Sequence, residues 1–356
     1  MEAATANRPA LKRRRSDVIR DAASEYGLYA IFAIFAIVFL LHDKSADGNI
    51  NRFIGNVIDG VSNGAIIALI ALGYTLVYGI IELINFAHGD VFMLGTLTSV
   101  TLWGTFGLTT NTGTVGLIIG LLATLVIAMF VCALINVMIE RVGYRPLRNA
   151  PKLAPLITAV GFSFILQNVG ILWIGSSPQN VTNLINSDHV VFTIHTVPVE
   201  NRDVLAVLAT IPLVILLTTF VANSRLGKAM RATAQDPDAA RLMGINVDTT
   251  ISLTFLLGGL MAGAAGLISA LYQTREWYFD GFQAGLYAFT AAVMGGIGNL
   301  RGAVLGGLII GLISQFADSR IPEGNIWQTA VVFAFLIVVM VFRPQGLLGE
   351  QTREAG

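Results

Sequence analysis

The sequence predicts an all-α, polytopic bundle of transmembrane helices with about ten spans, in a range of eight to ten. Of the 356 residues, 54% are hydrophobic and 12% are charged. An average soluble domain carries roughly twice that charged fraction, and so few charged side chains could not cover a soluble surface. Long stretches have no charge, among them 91–139, 153–187 and 249–274. A net charge of zero and glycine without a three-residue period exclude nucleic-acid binding, disorder and collagen.

Apolar segments bounded by charges or turns define the candidate spans. They are residues 27–41, 55–80, 86–106, 114–138, 154–175, 203–222, 251–273, 282–298, 302–317 and 326–342. Three of them, 27–41, 282–298 and 302–317, are short for a spanning helix, so that either flanking residues extend them or they are broken or re-entrant segments. Between two spans, residues 190–199 alternate weakly in polarity and predict a short hairpin.

Lysine and arginine predict the orientation, because they are enriched in cytoplasmic segments. Residues 1–26 form a basic N-terminal extension, which we expect to be cytoplasmic and to contact anionic lipid. The basic loops 139–153 and 223–250 are assigned to the same side, as is the tail 350–356. Residues 27–349 then form one transmembrane domain, and the first span is expected to stay uncleaved because no A-x-A-like site follows it.

Signatures of catalysis are missing. The sequence has no phosphate-binding loop, no H-E-x-x-H and no G-x-S-x-G, and its four histidines are scattered. The single cysteine, Cys132, lies in an apolar run and excludes a disulfide framework. We therefore predict no catalytic, cofactor or metal site, and no ATP hydrolysis by this chain.

Polar residues at membrane depth are candidates for a translocation path. Asn56, Asp59, Ser62 and Asn63 share one helical face. A second group follows in 82–90, where the sequence predicts a helix interrupted by a turn at Gly89. The candidate path residues are Asp59, Asn63, Glu82, Asn85, His88 and Asp90. The alternatives are that the first group lies at the external interface and that the second is an ordinary cytoplasmic loop.

A second glycine-rich break is predicted in residues 294–307. Small-xxx-small spacings predict close helix packing in lipid. They occur at Gly116 and Gly120, at Gly259 and Gly263, and at Gly307 and Gly311.

Residues 223–246 predict a short helix that projects between two spans. Asp236 is a helix N-cap, Pro237 suits the first helical position, and Gly244 can end the helix. Small and apolar residues follow, which suits docking into a groove of a cytoplasmic partner. The alternative is an amphipathic linker at the membrane surface.

Four blocks together resemble one known family. They are Gly73–Gly95 with Ile84-Asn85-Phe86-Ala87-His88-Gly89-Asp90, Gly227–Asn246, Gly295–Gly307 and Arg343-Pro344-Gln345-Gly346-Leu347-Leu348-Gly349. These residues are similar to the permease subunits of bacterial branched-chain amino acid ABC importers, specifically the H-type subunit. The similarity extends over roughly residues 53–349, and the N-terminal 26 residues lie beyond the usual pattern.

The resemblance implies a multi-pass inner-membrane subunit with a second homologous permease, two cytoplasmic ATPases and a periplasmic amino acid-binding protein as partners. It implies that 223–250 is the segment coupled to the ATPases, with Lys228, Arg231, Asp236, Pro237, Ala239, Ala240, Arg241 and Gly244 as its candidate residues. Urea importers are related, but their block tends to read I-N-M-A-H-G-E, which favours amino acids here. An ion-coupled secondary transporter that uses Asp59 or Glu82 is a further alternative.

Overall fold

The computed structural model describes residues 50–148, 150–151, 153–186 and 189–349. They form eleven α-helices: α1 (Ile50–Ile81), α2 (Ala87–Thr105), α3 (Thr114–Ile139), α4 (Leu153–Ile174), α5 (Asn201–Asn223), α6 (Arg225–Gln235), α7 (Pro237–Leu242), α8 (Val247–Tyr272), α9 (Asp280–Gly295), α10 (Leu300–Arg320) and α11 (Gly324–Phe342). A π-helical turn, Glu140–Tyr144, and a 3-10 turn, Arg145–Leu147, follow α3.

Four short strands lie at one end of the bundle, here called the strand end. They are β1 (Gln179–Asn180), β2 (Val190–Ile194), β3 (Val197–Glu200) and β4 (Arg275–Glu276). β2 and β3 pair as an antiparallel hairpin, which confirms the hairpin predicted in 190–199, and β1 pairs with β4. The other end carries α6, α7 and the turns after α3, and is called the α7 end.

Seven helices of the described residues are long and apolar enough to cross a membrane. They are α1, α3 with its two following turns, α4, α5, α8, α10 and α11. The prediction of an all-α polytopic bundle is therefore confirmed. Flanking residues extend the predicted short span 302–317, since α10 has 21 residues, whereas α9, which corresponds to the predicted span 282–298, has only 16. The first predicted span, the N-terminal extension and the tail 350–356 lie outside the described residues.

The centre and the periphery of the bundle differ in which side chains they expose. Most of α1 and α8 is buried, whereas α3, α4, α5 and α11 carry exposed large apolar side chains such as Leu122, Leu172, Leu216 and Ile337. In a membrane such faces contact lipid or another transmembrane subunit at no hydrophobic cost. α1 and α8 therefore form the protein-lined centre of the bundle.

Two of the three predicted glycine pairs bring helices together. A Cβ at Gly311 would lie 2.3 Å from the Cα of Gly64, which joins α10 to α1. A Cβ at Gly263 would lie 2.5 Å from the carbonyl oxygen of Ala128, which joins α8 to α3. The prediction for Gly116 and Gly120 was wrong, because these residues face only the preceding loop.

The sequence predicts the first helix break at Gly89, but in the structure the break lies before this residue. α1 ends at Ile81, residues 82–86 are not helical, and Gly89 lies inside the first turn of α2. Glycine is needed there because a Cβ would lie 2.3 Å from the carbonyl oxygen of Gly281, at the start of α9. The second break is present as predicted, since α9 ends at Gly295 and α10 starts at Leu300.

The first turns of α2 and α9 overlap inside the bundle. The Phe86 ring, just before α2, lies 6.0 Å from the ring of Phe289 in the middle of α9. Conversely, Met93 in the second turn of α2 faces Gly281 at the start of α9. α2 is buried without interruption over residues 87–99. Helix starts that meet within a bundle are typical of the discontinuous helices of transporters.

Candidate translocation path and coupling segment

A buried polar cluster surrounds the start of α2. The amide of Asn85 donates to Oδ1 of Asn136 in α3 (3.3 Å), and Nδ2 of Asn136 donates to the carbonyl oxygen of Phe255 in α8 (2.6 Å). The Tyr74 ring of α1 packs edge-on against the His88 ring, with centroids 4.8 Å apart. Asn85, one of the non-helical residues between α1 and α2, is thus linked through Asn136 to both α3 and α8.

Several polar atoms of this cluster have no hydrogen-bond partner among the described residues. They are the Tyr74 hydroxyl, both ring nitrogens of His88 and both carboxylate oxygens of Asp90. Asp90 has no exposed surface, and the side chains of Ser163 and Gln167 in α4 lie close enough to interact with its carboxylate. Buried polar groups without a close hydrogen-bond partner cost free energy, which makes this cluster a candidate functional site.

The structure joins some of the predicted path residues and separates others. Asn85, His88 and Asp90 belong to the buried cluster, whereas Glu82 is exposed at the end of α1 with a left-handed backbone (φ 51°). Asp59 and Asn63 are half-buried in the first half of α1, towards the strand end. The predicted set is therefore two groups plus Glu82, rather than one continuous site.

Asp59 belongs to a second polar group at the strand end. The charges of Asp203, Arg202 and Glu200 lie close enough to interact with its carboxylate. Arg202 pairs with Glu200 (2.9 Å) and its guanidinium carbon lies 5.8 Å from the centroid of the Tyr272 ring. Sequence analysis missed these partners because they belong to the end of β3 and the start of α5, which are distant from Asp59 in sequence.

The predicted short helix in the segment 223–250 is present as α7. The Asp236 carboxylate accepts hydrogen bonds from the backbone N–H groups of Asp238 and Ala239, both at 2.9 Å. Pro237 is the first helical residue, and Gly244 ends the turn with φ 83°. Local sequence alone thus determines where this helix begins and ends.

The residues of α7 and α6 differ in what they contact. Leu242 and Met243 are 89% and 83% exposed, which is extreme for large apolar side chains. Ala240 is buried and faces the bundle, whereas Ala239 and Arg241 are exposed, as are Lys228 and Arg231 of α6. Arg231 also donates to the backbone carbonyls of Val221 and Ala222, and so holds α6 to the end of α5. We did not predict this anchoring contact or the burial of Ala240.

An ion-pair network fastens the start of α8 to the turns after α3. Glu140 is fully buried, forms a salt bridge with Arg148 and accepts a hydrogen bond from the Ser252 hydroxyl (2.6 Å). Arg148 also pairs with Asp248, which in turn pairs with the exposed Arg145. α8 starts only a few residues after α7, so the network connects the coupling segment to α3.

No group of three or more His, Cys, Asp or Glu residues that could hold a metal ion occurs in the part of the chain that the structure describes. The buried polar clusters and the projecting α7 therefore define the candidate sites. These sites and the transmembrane bundle are characteristic of a multi-pass membrane protein with a short helix, α7, at one end of the bundle.

Comparisons with known proteins identify the family. A model of the family "Branched-chain amino acid transport system / permease component" matches residues 56–340. The high-affinity branched-chain amino acid transport system permease protein BraD of Pseudomonas aeruginosa is 38% identical over 305 residues, or 84% of this chain and 97% of that protein. The corresponding protein LivH of Escherichia coli K12 is 40% identical over 300 residues, or 83% of this chain and 96% of that protein. The chain belongs to this permease family.

Proposed function

We propose that this chain is the membrane-spanning permease subunit of an ATP-driven importer of branched-chain or other neutral amino acids. The names of its relatives support the substrate class, and the similarity to them extends over most of the chain. The structural observation that carries the proposal is the exposed apolar pair Leu242 and Met243 on the capped helix α7. Such a pair outside the bundle is suited to docking into a groove of another protein.

The proposed partners are two cytoplasmic ATPases, a second homologous permease and a periplasmic amino acid-binding protein. ATP hydrolysis takes place on the ATPases, and this chain is not itself an enzyme. Binding of ATP moves α7, and α8 transmits the movement to the buried polar cluster around Asp90. The energy comes from the partners, because a subunit without nucleotide contacts cannot shift its own equilibrium.

The proposed orientation places the α7 end in the cytoplasm and the strand end outside the inner membrane. Basic residues at the α7 end support it, among them Arg141, Arg145, Arg148, Lys228 and Arg231. Both chain termini are then cytoplasmic, with the N-terminal extension against anionic lipid. The binding protein would deliver its amino acid at the strand end.

The test is reconstitution of this chain with its ATPases, second permease and binding protein in vesicles. We expect leucine uptake that requires ATP and all partners. ATP-driven uptake of urea in place of leucine would instead indicate a urea importer. Uptake driven by an ion gradient without the ATPases would contradict the proposal and indicate a secondary transporter.

A double variant tests the docking role of α7. Leu242→Glu with Met243→Glu is expected to lower co-purification of the ATPases at least about tenfold, because central apolar anchors dominate such interfaces. Phe192→Glu makes the same change at a residue that is 50% exposed on the hairpin of the strand end and serves as the control. Equal ATPase binding by the double variant and the control would refute this role.

A further inference from the structure

A small cavity lies between α2, α8 and the start of α9, near the strand end. It has a volume of about 30 Å³, which is enough for a group the size of a water molecule or an ammonium. It is lined by Phe92, Met93, Thr96, Ser269, Gln273, Glu276, Asp280 and Ala284. Gln273 is exposed at the strand end, so the cavity lies directly beneath that surface.

Glu276 places a buried carboxyl group in this cavity. The residue is only 4% exposed, and its carboxylate has neither a hydrogen bond nor an ion pair with any described residue. Glu276 lies in the loop between α8 and α9, where burial and the nearby charge of Asp280 raise its pKa well above 4.5. A buried carboxylate is costly unless a cation or a proton compensates it. No basic side chain is among the residues that line the cavity, although the charge of Arg275 acts on Asp280.

The position of Glu276 is fixed by its surroundings. β4 pairs with β1, which places Glu276 opposite Gln179. The next residue, Trp277, donates from its indole nitrogen to the carbonyl oxygen of Ser176 (2.9 Å). Both contacts tie this loop to the segment that follows α4, and Glu276 lines the cavity from this fixed backbone position.

Aromatic residues follow Glu276 in the chain, and apolar side chains form one wall of the cavity. Between Glu276 and Asp280 the chain carries three successive aromatic residues, and the ring centroid of Trp277 lies 5.3 Å from that of Tyr278 and 5.4 Å from that of Phe279. On the α2 side, the cavity wall consists of the buried Phe92 and Met93. Carboxylates are suited to accept hydrogen bonds from an ammonium ion, and the apolar wall is suited to an aliphatic chain beside it.

We propose that the cavity bounded by Thr96, Ser269, Glu276 and Asp280 receives the ammonium group of the transported amino acid on its way from the strand end. Glu276 and Asp280 accept hydrogen bonds from the ammonium, while Phe92 and Met93 contact the aliphatic side chain. This inference rests on the proposed function. In the described conformation the cavity is closed around the ammonium-sized space, and movement of α9 against α2 opens room for the rest of the substrate.

The first test uses the complete importer in vesicles with leucine as the substrate. Glu276→Gln removes the charge and keeps the shape of the side chain, so we expect leucine uptake to fall about ten- to a hundredfold, as for the loss of a hydrogen bond to a charged group. ATP hydrolysis stimulated by the loaded binding protein is expected to remain. Asp318→Asn, at an exposed residue of α10, makes the equivalent change as the control.

The outcomes separate the two proposals. If the wild-type importer fails to transport leucine, the proposed function is wrong. If the wild type transports leucine and Glu276→Gln transports it at the same rate, only the ammonium site is wrong.

A labelling experiment keeps the inference testable if Glu276→Gln fails to fold. Thr96→Cys introduces a thiol into the cavity wall, and the only native cysteine, Cys132, is buried. We expect a cationic thiol reagent to label this thiol at least about tenfold faster than a neutral reagent of similar size, as for one charged hydrogen bond. We also expect leucine to protect it in the complete importer. Equal labelling by both reagents, or no protection, would overturn the assignment.

Discussion

The ion-pair network around Glu140 allows a sharp prediction, because the carboxylates of Glu140 and Asp248 pair with two arginines that lie in very different environments. Glu140 has no exposed surface and the Arg148 side chain is 18% exposed, whereas Arg145 and Asp248 are 48% and 46% exposed. Arg148→Met leaves Glu140 buried with only the Ser252 hydroxyl as its donor. Breaking a buried pair in this way costs about 3–5 kcal/mol, whereas an exposed pair contributes about 0–1 kcal/mol.

We therefore expect Arg148→Met to lower the free energy of unfolding by about 3–5 kcal/mol and the matched Arg145→Met by less than about 1 kcal/mol. The measurement is equilibrium unfolding of the purified protein in mixed micelles, followed by tryptophan fluorescence. Adding Glu140→Leu to Arg148→Met should recover most of the loss, because an apolar pair replaces the buried ions. Equal costs for the two arginine variants, or a further loss in the double variant, would refute the reasoning.

Three further changes test other contacts. Gly311→Leu is expected to prevent folding, since even a Cβ at this position would lie 2.3 Å from the Cα of Gly64. The control is Gly113→Ala, whose added Cβ meets no atom within 4 Å, and the yields of monodisperse protein measure the difference. Asp236→Ala is expected to destabilise α7 by about 0.5–2 kcal/mol, measured by faster hydrogen exchange of 237–242, and unchanged exchange would contradict the capping role. Gly244→Pro is expected to abolish transport with normal membrane insertion, because proline cannot adopt φ 83°; transport at the wild-type rate would exclude a requirement for this turn.

The spans and α7 could be predicted because their signals are local. A charge-free apolar run is sufficient to indicate a membrane helix. The Asp236 carboxylate caps α7 by accepting hydrogen bonds from the backbone N–H groups two and three residues further along the chain. The hairpin of β2 and β3 is local in the same sense. For these elements, tertiary contacts add little to what neighbouring residues determine.

The remaining features depend on contacts between distant residues. The sequence predicts a turn at Gly89, yet the structure requires glycine there because Gly281 and Gly285 approach its backbone from a helix nearly 200 residues away in sequence. The sequence does not indicate Glu276 as a candidate, since a charged residue between two spans is typical of an ordinary loop. Only its burial, which comes from β1 and α2, makes it a candidate for function.

α8 provides a physical connection between the coupling segment and the strand end. It starts three residues after Gly244, is fastened to the turns after α3 through Asp248 and Ser252, and ends four residues before Glu276. Gly263 brings it into backbone contact with α3, so the two helices cannot slide apart without losing close packing. α1 and α10 form a second close-packed pair through Gly64 and Gly311. We propose that a force applied to α7 reaches α2 through α8, because a Cβ at Gly266 of α8 would lie 2.6 Å from the backbone nitrogen of Thr96 in α2. The buried Asp90 at the start of α2 is then the place where the movement changes the protein interior.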